Sequence, residues 1–234
     1  MMRLTVYVPT FQRPELRACL DSILPQLTED CNLVVSDNDP DKSARPYCQD
    51  HRIVYSSNHI NVGADGNCLR GVTAAAGEYL WVFGDDDIML PGAIEATLGM
   101  LRGQDRIIHV GDRHGETGFG FDGTTAQWID SLQDKSMVVA STLCSLNVWR
   151  VAALSAHDGI RGLDTRNVLC WAGLGTATVT VADRPFVRVG RCHPYPFPEF
   201  GVSMDRYLLA YRNRCGCRSR FTMRNANNWN YTNV

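Results

Sequence analysis

Short apolar runs alternate with stretches of helical spacing over the first hundred positions. Leu4-Thr5-Val6-Tyr7-Val8 is apolar and β-rich, as a strand buried on both faces should be. Pro14 suits a first helical position. Behind it, residues 15–24 place Leu16, Cys19, Leu20, Ile23 and Leu24 on one helical face. The strand pattern returns at 32–36, 52–56, 78–83 and 106–110. Helices are expected at 65–76, ended by Gly77, and from Pro91 through Leu101. Such alternation predicts an α/β fold: a mostly parallel, doubly wound sheet with helices on both faces and ligands at the carboxyl ends of its strands.

The pattern loosens beyond residue 110. Residues 111–125, GDRHGETGFGFDGTT, hold five glycines and read as a mobile, functional loop. Helical spacing follows at 126–132, 142–154 and 165–173, and strands are expected at 177–181 and 186–189. The prolines of His193-Pro-Tyr-Pro-Phe-Pro exclude a helix or a central strand there. Residues 203–212 suit an amphipathic helix, and the polar end is expected to fray or dock loosely. Three parts result: a ligand-binding half at 1–110, a second half at 111–201, and a tail at 202–234.

Composition agrees with a globular domain: 234 residues, 44% hydrophobic and 21% charged. Apolar stretches fall short of the ~20 residues a transmembrane helix needs. The opening MMRLTVYVPTFQRPE has no apolar run with a small-residue cleavage site, so the expected compartment is the cytoplasm. Nine cysteines, an odd number, suggest free thiols, and Cys215-x-Cys217 is a poor match to zinc spacing. Charge is unevenly placed. Residues 184–234 carry nine arginines against Glu199 and Asp205, a net +7. The remaining 14 basic and 23 acidic residues leave −9 on 1–183.

Three strand-end loops carry the chemistry. Pro9-Thr10-Phe11-Gln12-Arg13-Pro14 follows the first strand, Asp37-Asn38-Asp39-Pro40-Asp41 the second, and Gly84-Asp85-Asp86-Asp87 the fourth. Parallel strands would bring all three to one edge. Adjacent acids repel unless a positive group sits among them, and a hard divalent cation, Mg²⁺ or Mn²⁺, is the economical one. It would bridge the protein to a diphosphate. The alternative is an acidic turn that caps the following helix. Asp37 is either a turn residue or an acceptor for a base or ribose. Asn61-Val62-Gly63-Ala64-Asp65-Gly66-Asn67 opens a helix and could cradle a sugar or diphosphate.

VYVPTFQRPELRACLDSIL, VVSDNDPDKS and NVGADGNCLRGVTAAAGEYLWVFGDDDIMLPGAIE, in that order, closely resemble the nucleotide-sugar half of family 2 glycosyltransferases with the GT-A fold. SMVVASTLCSLNVW and ADRPFVRVG resemble the family's acceptor half more weakly. The resemblance implies transfer from a nucleoside diphosphate sugar, UDP-sugar by default, with a divalent metal and inversion at the anomeric carbon. By position, Thr10 and Asp37 would hold base and ribose, with Pro9 and Arg13 shaping that pocket. Asp65 and Asn67 would line sugar or diphosphate, and Asp86 would lead the metal ligands beside Asp85 and Asp87. Gly84 stands where many members carry the first acid of Asp-x-Asp, while Asp85-Asp86-Asp87 read literally is one, so two registers are open. A general base must take the acceptor proton. Asp164 suits that role or a helix cap, with Asp158 and His157 behind it. His193 would join the metal shell or be a surface histidine. His109 reads as a core histidine, and Trp171 as core or an acceptor platform.

The tail interleaves Arg206, Arg212, Arg214, Arg218, Arg220 and Arg224 with Tyr207, Tyr211, Phe221, Trp229 and Tyr231. Besides a solvated surface, it suits an anionic membrane, as for a lipid-linked glycan acceptor, or nucleic acid, as for a transferase modifying a flipped base. A sugar-nucleotide nucleotidyltransferase and an inactive binding module are the other classes. The first usually carries a glycine-rich basic loop after strand one, which Thr10–Pro14 is not.

Overall fold

The computed structural model describes residues 2–110, 120–131, 144–155, 178–183, 185–188, 220–225 and 228–232. Twelve strands are labelled in chain order: β1 Leu4–Thr10, β2 Cys31–Asp37, β3 Ile53–Ser57, β4 Tyr79–Val82, β5 Asp87–Met89, β6 Arg106–Val110, β7 Phe121–Thr124, β8 Asn147–Arg150, β9 Thr178–Asp183, β10 Phe186–Arg188, β11 Arg220–Asn225 and β12 Asn228–Thr232. The helices are α1 Leu16–Ile23, α2 Gly63–Ala74, α3 Ala93–Met100, α4 Thr125–Ser131 and α5 Val151–Ser155.

Eight strands form one sheet in the order β3-β2-β1-β4-β8-β6-β9-β7. The β3-β2-β1-β4 section is parallel throughout. Alternation along β1 explains the layering. Leu4, Val6 and Val8 share a cluster with Leu16, Cys19, Leu20 and Ile23 of α1. Tyr7 shares the opposite cluster with Val34, Leu80, Val82 and Trp149, and with Leu69 and Val72 of α2. β1 is therefore apolar on both faces, with α1 packed on one and α2 on the other.

Several elements depart from the sequence reading. Residues 142–154 were expected to be helical, but 147–150 form β8, which lies antiparallel between β4 and β6. Its Val148 is fully buried. A short apolar run buried on both sides carries no period that separates strand from helix. The 111–125 loop ends in a strand, since β7 pairs antiparallel with β9; residues 111–119 lie outside the described residues. Residues 220–225 and 228–232 pair as a hairpin rather than fraying. Gly77 does not cap α2. It is a point of close approach, where a Cβ would stand 2.8 Å from the Leu4 backbone. The Gly77 and Ala76 amides instead donate to the Thr5 hydroxyl at 3.0 and 3.1 Å. His109 is fully buried, its ring 5.1 Å from that of Trp81.

Candidate functional site at the ends of β1, β2 and β4

The chain moves outward from β1 through β2 to β3, then returns across β1 to β4. That reversal opens a crevice between the carboxyl ends of β1 and β4, where ligands bind in such sheets. The two loops that follow these strands meet there. Arg13 Nε lies 4.0 Å from Asp85 Oδ1. Thr10 is buried at the end of β1, in register with Asp37 at the end of β2. Pro9 beside it is half-buried.

The acidic turn is tightly held. The Gly84 amide donates to Ser145 Oγ at 2.9 Å, and Cys19 Sγ donates to the Gly84 carbonyl at 3.5 Å. The Asp87 amide closes the turn onto the same carbonyl at 3.1 Å. A Cβ at Gly84 would meet Asp87 Oδ2 at 2.8 Å and Asp86 Oδ1 at 3.1 Å. Glycine thus lets two carboxylate oxygens approach one point. Asp87 is buried and begins β5, with Arg188 of β10 as its register partner. Burial lifts the Asp85 carboxyl to about 6; Thr10 and Arg13 pull it down, while Asp86 and Glu15 push it up. Burial, helped by the three aspartates, raises the Cys19 thiol well above its usual range. Cys19 therefore stays protonated as a donor.

Two converging carboxylates fit a hard divalent cation that draws its other oxygens from a diphosphate. Among the described residues no group of three His, Cys, Asp or Glu side chains forms a complete metal site. The carboxylates of this turn would supply one side of such a site and the ligand's phosphates another.

The other candidate side chains near these strand ends are engaged within the protein. Asp37 is fully buried. Its Oδ1 accepts from the Asp39 amide at 3.0 Å, and its Oδ2 accepts from the Ala44 amide at 2.9 Å and the Tyr55 hydroxyl at 3.0 Å. Burial and the Asp37 carboxylate raise the Tyr55 phenol, keeping it a donor. Asp37 thus organises the loop that follows β2 and ties it to β3. Asn67, on α2, is also buried. Its Nδ2 donates to the Ser36 carbonyl at 2.9 Å, and its Oδ1 accepts from Ser36 Oγ at 2.7 Å and Asn58 Nδ2 at 3.1 Å. Asn58 donates onward to Asn38 Oδ1 at 2.9 Å, and Asn38 Nδ2 reaches Asn61 Oδ1 at 2.8 Å. This network ties the start of α2 to the end of β2. Asp65 lies half-buried in the first turn of α2. Asp164, Asp158, His157, Trp171, His193 and residues 206–219 of the tail lie outside the described residues.

Sequence reasoning missed Ser145, Cys19 and the asparagine network. Their partners come from distant segments, and a short polar residue inside an apolar run carries no signal of what it holds.

The family model for glycosyl transferase family 2 matches residues 5–146, more than half of the chain. Among curated relatives, the abequosyltransferase RfbV of Salmonella typhimurium is 33% identical over 97 residues, 38% of this chain and 29% of that protein. The GalNAc(5)-diNAcBac-PP-undecaprenol beta-1,3-glucosyltransferase of Campylobacter jejuni is 33% identical over 105 residues, 42% of this chain and 34% of that protein. The matched part is thus about a third of each relative's length. Among solved structures, S. aureus TarS 1-349 in complex with UDP-GlcNAc superposes at TM-score 0.64 and 16% identity, covering 91% of this chain and 67% of that one. Glucosyl-3-phosphoglycerate synthase from Mycobacterium tuberculosis, in complex with Mn²⁺ and UDP-glucose, gives 0.59 at 15%, covering 100% and 86%. These superpositions show the fold, a mixed, mostly parallel α/β sheet of the GT-A type.

Proposed function

The chain belongs to glycosyl transferase family 2, and from that premise we propose that it transfers a sugar from a nucleoside diphosphate sugar to an acceptor hydroxyl with inversion. The observation that carries this is the meeting of Arg13 with the Asp85–Asp87 turn at the β1/β4 switch point. It pairs a cation and convergent carboxylates at the place where an open α/β sheet binds a diphosphate.

Asp86 and Asp87 would hold a divalent cation, Mn²⁺ or Mg²⁺, which offsets charge on the departing diphosphate. Arg13 would leave Asp85 for a phosphate oxygen as donor binds. Asp164 would take the acceptor proton from the face opposite the diphosphate, and His193 would add to the metal shell. UDP-sugar is the donor supported by the UDP-sugar complexes of two fold neighbours. A lipid-linked glycan acceptor is favoured by the undecaprenol-linked substrate in the name of the Campylobacter relative. The arginines of 206–224 would then face anionic headgroups. Among the described residues, no helix is long and apolar enough to cross a membrane. A nucleic-acid acceptor is the other reading of those arginines.

The test is a thermal-shift series with UDP-, dTDP-, GDP- and CDP-sugars, each with and without Mn²⁺. Ligand that binds only the folded state raises its melting temperature by mass action. A metal-dependent shift with one nucleotide class supports the proposal. No shift with any donor contradicts it.

A further inference from the structure

Arg13 also lines a cavity of about 260 Å³, together with Gln12, Pro14, Ser43, Ala44 and Tyr47. It belongs to both crevice and cavity, facing Asp85 in the one and walling the other. A ligand with its diphosphate at the acidic turn can therefore rest its other end in this cavity.

The resemblance assigns the nucleobase to Thr10 and Asp37. Asp37 is fully buried, and its two oxygens accept from the Asp39 and Ala44 amides of the following loop and from the Tyr55 hydroxyl of β3. The exposed polar group on that wall is Gln12. Its backbone sits at φ +53°, a left-handed conformation that glycine takes freely and glutamine rarely adopts. Its side chain is oriented as well: Nε2 donates to Asp39 Oδ2 at 3.2 Å. Asp39 is buried, and its Oδ1 accepts from the Asp41 amide at 3.1 Å. Hydrogen bonds from Ser43, Asp41 and Gln12 hold its carboxyl below the usual range.

We infer that Gln12 reads the base of the donor nucleotide. One Nε2 hydrogen is engaged by Asp39. That leaves Oε1 as an acceptor and the second Nε2 hydrogen as a donor, side by side, matching the hydrogen-bonding edge of a base. Asp39 is the positioning residue that fixes which way the amide faces. This rests on the nucleotide-sugar reading above and narrows it to a specificity-determining residue.

The experiment measures dissociation constants for UDP, dTDP, CDP and GDP with Mn²⁺, for the wild type, Gln12→Gly and Gln12→Asn. Melting temperatures without ligand are recorded alongside. Glycine accepts the left-handed backbone, and asparagine tolerates it while carrying a shorter amide. Both variants should melt within a few degrees of the wild type. The preferred nucleotide should weaken about tenfold in each, falling toward the others, the size expected for losing the hydrogen bonds to the base. Variants that keep the wild-type ranking and affinity overturn the role of Gln12 and leave the donor reading intact. A wild type that binds none of the four overturns the donor reading, and this inference with it.

Discussion

Arg13 and Asp85 face each other at 4.0 Å across the gap between the ends of β1 and β4. The guanidinium only partly offsets the burial of the acid, so the Asp85 carboxyl stays up at about 6. The sign of the pH effect follows. The acid is neutral in folded and unfolded chains below about pH 4 and ionised in both above 6, where only the folded chain carries the burial penalty. Asp85→Asn should therefore stabilise the ligand-free protein at pH 7.5 by on the order of 2 kcal/mol, roughly 4–8 °C in melting temperature. The gain should disappear near pH 4. Melting curves at both pH values check this; equal gains at both would contradict it.

Gly84→Ala should disturb the acidic turn without unfolding the protein. The new Cβ would press on Asp87 Oδ2 and Asp86 Oδ1. Overpacking of this kind costs about 1–3 kcal/mol. The fold should survive it, and the carboxylates should be forced apart. Mn²⁺ titration by electron paramagnetic resonance, in the presence of UDP, should show affinity reduced at least about tenfold, the change a loss of roughly 1.4 kcal/mol produces. Unchanged Mn²⁺ affinity would place the metal elsewhere.

Asn67 should behave as a structural residue. Asn67→Ala takes one buried hydrogen-bond partner from each of the Ser36 hydroxyl, the Ser36 carbonyl and the Asn58 amide, which keeps Asn38. Chemical denaturation should show a loss of about 1–3 kcal/mol. Nucleotide affinity should change by less than about threefold, since the side chain lies behind the crevice. Normal stability with lost binding would put Asn67 on the crevice surface instead.

The parallel core was legible because its central strands are apolar on both faces and bounded by turn residues, as in Leu4–Thr10 and Cys31–Asp37. The strand-end loops were legible as well, since acids, Thr10 and Arg13 stand out after apolar runs. β8 was not, because Asn147–Arg150 lies between two strands and shows no alternation. β5 was not either, since its three residues are too short for any period, whereas the strand expected at 186–189 is β10, Phe186–Arg188. The inward turn of Asp37 was hidden too. A carboxylate after a strand reads the same whether it meets a ribose or the amides of Asp39 and Ala44.

Asp164→Asn tests the proposed general base. Donor affinity should stay within about twofold, while transfer falls roughly 10²–10⁴-fold, the usual contribution of a positioned base. Single-turnover transfer measured beside equilibrium binding separates the two. Normal transfer would remove Asp164 from the mechanism.

The first measurement to make is calorimetric titration of UDP into the wild type and Asp86→Ala, each with Mn²⁺ and with chelator. Tight binding by the wild type only with Mn²⁺, and weak, metal-independent binding by Asp86→Ala, is the expected result. Equal UDP affinity in all four titrations would contradict a metal-bridged diphosphate at the Asp85–Asp87 turn.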